Sequence, residues 1–446
     1  MSHLKAVPFA MLVMIAGTSI AQIAPPPPPP QPAVLATHAR SASHSLLADA
    51  SQHFEFGQYL QLVRTNNLSI AAQKAQVDIS DAQIALAALF PDPVFTTGLG
   101  AYEMSRDKLP TFSTFGVNFT IEGGKKRQAR TEAARADKAR AQAEFERQIM
   151  AVQLDAANAY IDYLKARELQ AYRQTAAALL TRIAQRTQGL SRKSDVVSEV
   201  QLQTEVLRGQ AELDAAEADV YIFSRAMLGF VQPTAETITR RIDSKGSLSL
   251  TFLTESESLR PLLPREDVVL AEKALDSARK REELSRENRS MDLNFNIGVN
   301  HGRQGDYLGT YLPQSNSLMA TVAIPIPFSL RQDGDLRAAS AATTQAMAQY
   351  QDVSLRAALD AEQARARYGA AVSQMKKYQA SAELSTKALN THVELYLNNK
   401  SDLGDVILLY KLANESQALS MDSRANHAHS MATLLNQANQ LQTMKF

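Results

Sequence analysis

Asp292-Leu293-Asn294-Phe295-Asn296-Ile297-Gly298-Val299-Asn300 carries an apolar side chain at every second position. Successive side chains of a strand point to opposite faces. Leu293, Phe295, Ile297 and Val299 therefore share one face, and small polar residues or glycine fill the other. Two more segments read the same way. Phe115, Val117, Phe119 and Ile121 alternate with Gly116, Asn118 and Thr120, and Leu318, Ala320, Val322, Ile324 and Ile326 form a ladder opposed by Thr321, Met319 and two prolines. Residues 94–103 alternate more weakly. One apolar and one small polar face suit either a half-buried soluble sheet or a lipid-facing barrel wall around water.

Length bears on that choice. Each segment has about ten residues, near the ~9–11 that cross a bilayer with tilt. The stretches joining them, 104–111 and 301–316, are largely polar. Four strands cannot close a barrel, and open sheet edges are not tolerated in hydrocarbon. Membrane-spanning strands would thus oblige several copies to share one barrel, two giving eight strands and three giving twelve.

Outward from the strands the chain is helical. Gly and Pro together number 35 of 446 residues (18 and 17), and six of the prolines sit in the run 25–30. Residues 125–188 contain neither, and as one helix would span ~96 Å. Along them Phe145, Ile149, Val152, Ala156, Ala159, Tyr163 and Ala166 step in threes and fours, the stripe of a left-handed coiled coil. The order helix, two strands, long helix, turn, helix occurs twice. The first round has helices at 55–89, 125–188 and 196–228, with a turn at 189–195; the second has helices at 265–287, 335–398 and 406–440, with a turn at 399–405. The expected fold is mainly α with a small β part: long antiparallel helical hairpins and four strands per chain. Expected boundaries are a signal peptide at 1–21, a Pro-rich flexible lead-in at 22–54, the two repeats at 55–229 and 265–440, a linker at 230–264 and a tail at 441–446.

Export is read from Lys5, the apolar stretch 6–16 and Ser19-Ile20-Ala21 before Gln22, which together have the form of a cleavable signal. No later segment has 18 consecutive apolar residues, so no membrane-spanning helix is expected. Lys+Arg 47 against Asp+Glu 46 argues against a nucleic-acid partner. The absence of cysteine removes disulfides, thiolate metal sites and a cysteine nucleophile. His427 and His429 are two apart, so on a helix they face different directions; a solvated-face role is expected, with no metal and no cofactor. Gly123-Gly124-Lys125-Lys126-Arg127 lacks phosphate-loop spacing and reads as a strand-to-helix turn. No grouping of residues suggests catalysis.

Several cues in order resemble the TolC-like outer-membrane efflux protein family. They are Phe90-Pro91-Asp92-Pro93 before the first strand, Gly123 to Arg127 opening the long helix, Ala159-Tyr160-x2-Tyr163-Leu164-x-Ala166-Arg167-Glu168 within it, the turn Gly189-Leu190-x4-Asp195-Val196, and Ile324-Pro325-Ile326-Pro327-Phe328 ending the fourth strand. The resemblance covers most of 55–440. It implies a homotrimer sharing a twelve-stranded barrel in outer-membrane lipid and a periplasmic helical tunnel, with a periplasmic adaptor and an inner-membrane pump as partners. The duct itself would be passive, carrying drugs or metal ions, as in pumps of the resistance–nodulation–division type, including heavy-metal exporters.

By the same resemblance, Gly189, Leu190, Ser194, Asp195 and Val196 match one adaptor-contact tip, and Asn399, Lys400 and Ser401 the other. Asn399 stands where the family usually has Gly. Asp405 matches an acidic position of the periplasmic aperture, while also suiting a helix N-cap. Phe115, Val117, Phe119, Leu293, Phe295, Ile297, Val299, Val322 and Ile324 would face lipid. The rival reading is a periplasmic adaptor or structural coiled-coil protein that never enters a membrane. An adaptor, though, typically has one hairpin flanked by β domains, and this chain has two hairpins, each preceded by a strand pair.

Overall fold

The structure, a computed structural model, describes residues 53–101, 111–189, 196–231, 243–244, 248, 265–302, 315–325, 331–438, 440–441 and 444. The expected signal sequence, the proline run, most of the expected linker and the expected tip residues Leu190, Ser194 and Asp195 lie outside the described residues.

The first repeat contains α1 (Phe56–Asn66), α2 (Leu68–Ala88), β2 (Val94–Ala101), β3 (Thr111–Ile121), α3 (Lys126–Gly189) and α4 (Val196–Val231). The second contains α5 (Glu266–Glu287), β5 (Leu293–Gly302), β6 (Ser315–Ala323), α6 (Arg331–Leu397) and α7 (Leu403–Gln437). A two-residue strand β1 (His53–Phe54), at the end of the expected lead-in, pairs in parallel with β4 (Asp243–Ser244) of the linker.

The helix expected over 55–89 is two helices. Asn67 interrupts it: its carboxamide oxygen accepts from the Ser69 and Ile70 N–H groups at 3.0 and 3.3 Å, while its Nδ2 donates to the Phe230 carbonyl. An asparagine capping a new helix start satisfies two orphan donors that a continuous helix would not have. The α3 and α6 helices have 64 and 67 residues, roughly 96 and 100 Å at 1.5 Å per residue.

The strand-to-helix turn after β3 needs its two glycines. Gly124 sits at φ 65°, and a Cβ on Gly123 would lie 1.8 Å from the Met291 carbonyl oxygen. Asp292 ties the two repeats together there, accepting from Gly123 N–H at 3.0 Å and from Lys126 Nζ at 2.7 Å. Arg130 adds a pair to Glu122 at 2.5 Å and donates to the Ala87 and Leu89 carbonyls at the end of α2.

The four long strands form one antiparallel sheet in the order β2-β3-β5-β6. The helices beside it follow the same sequence: α2 packs on α3, α3 on α5 and α5 on α6. Further along, α3 and α4 form one hairpin and α6 and α7 the other, with α7 resting on α3. Apolar burial runs along these seams. Ala156, Ala157, Tyr160, Ile161 and Leu164 are fully buried in α3, where Tyr160 meets Phe56 and Tyr59 of α1 at 5.3 and 5.6 Å between ring centroids. The α3–α7 seam is fastened by Lys165–Asp422 at 2.6 Å and Arg424–Glu168 at 2.9 Å. Glu168 and Arg424 also bind the Leu248 N–H and carbonyl, so both polar backbone groups of this buried linker residue are held by an ion pair.

Candidate functional site: a two-faced sheet and a helical tip

The strand register settles which side chains share a face. Phe115 lies opposite Val299, Val117 opposite Ile297, Phe119 opposite Phe295 and Ile121 opposite Leu293. Across the next ladder Phe295 meets Val322 and Ile297 meets Ala320. All the strand residues expected to face lipid thus fall on one continuous face, Ile324 continuing the β6 series just past the strand's end, while Ile326 lies outside the described residues. Many remain open to the surroundings, including Phe115, Phe119, Ile297, Val299, Val322 and Ile324. A soluble half-buried sheet would cover this face, and among the described residues no helix packs on it.

The apolar band ends in a polar row, where Ser113 lies opposite His301 and His301 opposite Asn316. His301 Nδ1 is 2.6 Å from Asn316 Oδ1. The other face of the sheet pairs Asn118 with Asn296, Thr114 with Asn300 and Asn296 with Thr321, and Thr120 donates to Asn294 Oδ1 at 2.8 Å.

The second tip is built by helix-end chemistry. Asn399 is at φ 60°, the one non-glycine positive φ among the described residues. Its N–H donates to Tyr396 O and the Lys400 N–H to Leu395 O, the paired bonds of a Schellman stop. Asparagine thereby fills the left-handed position usually held by glycine. Asp402, not Asp405, caps α7: its carboxylate accepts from Gly404 N–H at 3.3 Å, and the helix begins at Leu403 rather than Val406. Asp405 is left in the first turn, exposed and free of a capping role. Exposed Leu408 and Leu412 continue its stripe. In the first tip, Gly189 ends α3 and Val196, 71% exposed, begins α4.

Behind the tips, Leu180, Ile183, Leu202, Leu389, Val393, Val406, Ile407 and Tyr410 form one buried cluster drawn from four helices. The Thr187 and Tyr396 hydroxyls meet within it at 2.8 Å. The buried Glu205 carboxylate pairs with Lys411 Nζ at 3.0 Å, joining α4 to α7. Sequence reasoning missed this pair, because its partners lie far apart in the chain and neither belongs to a motif.

The histidines correct a second expectation. His427 is 1% exposed and packs against Tyr368 with ring centroids 5.5 Å apart, while His429 bridges Asn158 and Asp162 of α3 at 2.9 and 3.0 Å. Neither lies on a solvated face; each faces a neighbouring helix. No group of three or more histidines and carboxylates able to hold a metal occurs among the described residues.

No family model matches the chain, and no curated protein matches it in sequence. Solved structures do match. The Campylobacter jejuni CmeC outer membrane channel superposes with a TM-score of 0.71 at 13% identity, over 86% of this chain and 86% of that one. The chain has the TolC-like fold. The open-state Neisseria gonorrhoeae MtrE outer membrane channel agrees, with a TM-score of 0.70 at 15% identity over 87% and 89% of the two chains. So does the Vibrio cholerae outer membrane protein VceC, with a TM-score of 0.68 at 16% identity over 86% and 95%. Shared architecture at such low identity means that packing pattern, rather than particular side chains, is what these proteins have in common.

Proposed function

We propose that the chain is the outer-membrane channel of a tripartite efflux system, a passive duct formed by three copies. The observation that carries this reading is the sheet: a continuous, uncovered apolar face on one side, small polar groups on the other, and open edges at β2 and β6. Open edges are untenable in lipid. Strand directions alternate through the sheet, so β6 of one copy runs antiparallel to β2 of the next and the ring closes without a break in pattern. Three copies give twelve strands, as the resemblance to the family implies.

The helices support the same arrangement. The inner helices α3 and α5 expose no large apolar side chain, whereas edge helices α2 and α6 expose Leu68, Ile79, Leu86, Leu355 and Leu359. Neighbouring copies would cover these. The long helices would form the periplasmic tunnel, with Gly189, Leu190, Ser194, Asp195, Val196, Asn399, Lys400 and Ser401 meeting a periplasmic adaptor that links the duct to an inner-membrane pump. Asp405 would line the aperture behind the tips. Carboxylates brought together there would repel one another and attract cations.

Separation of the two membranes after osmotic shock tests the proposal. The protein is expected in the outer-membrane fraction, released only by detergent. Recovery in the osmotic-shock fluid would overturn it and favour the coiled-coil alternative.

A further inference from the structure

We propose that the barrel section of this pore applies no charge selection: cationic, anionic and neutral solutes meet the same wall, and any preference for charge arises in the helical section. The inference rests on the channel reading and adds a property to it.

The polar face of the sheet is fully specified by the register. From Val94 to Gly100, Phe112 to Thr120, Asn294 to Gly302 and Ser315 to Ala323, not one of its alternate positions is Asp, Glu, Lys, Arg or His. Carboxamides, hydroxyls and glycines dominate it. His301 belongs to the opposite face.

The wall is also smooth. The Phe112 ring lies flat over Gly100, where a Cβ would come within 2.3 Å of its Cζ. Likewise the Thr114 hydroxyl lies over Gly98, 2.8 Å from where a Cβ would stand. Thr96 and Thr114 turn their hydroxyls onto the Gly116 and Gly98 carbonyls of the neighbouring strands, at 3.3 and 3.4 Å. Side chains that fold onto neighbouring glycines project little into the space they border.

Two of the charges next to this face are neutralised by pairing, and the Arg127 guanidinium lies over the Phe90 ring. At the helix junction Lys126 is bound to Asp292 and Arg130 to Glu122. By sequence the joining stretches carry no net charge, with Glu103 and Asp107 against Arg106 and Lys108 in one and Asp306 against Arg303 in the other. At physiological salt a charge is screened beyond ~8 Å, so distant groups leave little potential in the lumen. Carboxamides and hydroxyls offer both donors and acceptors and hydrate either sign of ion.

The chain has no native cysteine, so Asn296→Cys and Ser317→Cys, two variants on different strands of the polar face, each carry a single thiol. Membrane-assembled protein is treated with a cationic and an anionic methanethiosulfonate of similar size. Each rate is divided by that reagent's rate with a free thiol in the same buffer. The expected result is a ratio of the two normalised rates within threefold of one. A larger bias of either sign overturns the inference. So does faster labelling of Ile297→Cys than of Asn296→Cys, which would mean the faces are reversed. If the protein is not in the outer membrane at all, the channel reading itself fails, and fractionation reports that separately.

Discussion

Glu205 and Lys411 form an ion pair, 3.0 Å apart, between α4 and α7, with the carboxylate almost wholly buried and the ammonium half in solvent. Beside it and the Thr187–Tyr396 hydroxyl contact, the two hairpins meet behind the tips mainly through apolar packing. Lys411→Met would leave a buried carboxylate unpaired, at a cost of about 1–3 kcal/mol. The thermal midpoint of the long helices is expected to fall. Glu205→Gln in the same chain should restore much of it, because no charge is then stranded. Circular dichroism of the two variants checks this, and equal midpoints for the single and double variants would contradict it.

The tip turn depends on Asn399 at φ 60°. A β-branched residue there is strongly disfavoured, and Asn399→Val should destabilise the turn by about 1–2 kcal/mol. Asn399→Gly should be neutral or slightly stabilising. Hydrogen exchange at the Lys400 amide, which bonds to Leu395 O, reports the difference: faster in the valine variant, unchanged in the glycine variant.

Burial lowers the His427 pKa below its ordinary 6.5. A histidine kept neutral by the fold contributes stability that is complete above pH 6.5 and declines as the pH falls below it, because the unfolded chain takes up a proton more readily. Thermal midpoints measured between pH 7.5 and 5.5 should therefore decrease, and His427→Gln should flatten that decrease. An unaltered pH dependence in the variant would assign the effect elsewhere.

The two faces of β5 make opposite predictions. Arg at Phe295, on the apolar face, should impair membrane insertion by roughly 2–4 kcal/mol per chain if it lies near the bilayer midplane. Arg at Asn296, on the polar face, should be tolerated better. The fraction of protein reaching the outer membrane measures both, and equal losses would argue against a water-filled barrel.

Much of this architecture is legible in the sequence for identifiable reasons. The alternation of Leu293, Phe295, Ile297 and Val299 fixes a face without reference to the rest of the chain, and the glycine pair at 123–124 marks a turn that backbone geometry demands. Helix ends were harder. Asp402 and Asp405 both suit a cap, and only the hydrogen bond to Gly404 distinguishes them. The Asn67 break is hidden for the same reason, since a capping asparagine inside a polar stretch looks like any surface residue. Spacing says that His427 and His429 point apart, but not that Tyr368 and Asp162 wait on the facing helices. Contacts across hundreds of residues leave no local pattern.

In the proposed trimer, copies of this chain close a barrel edge to edge, β6 against β2 of the next. Native mass spectrometry of the detergent-extracted protein tests it most directly. A particle of three chains that persists on dilution is expected; a monomer or dimer at working concentrations would rule out this closure.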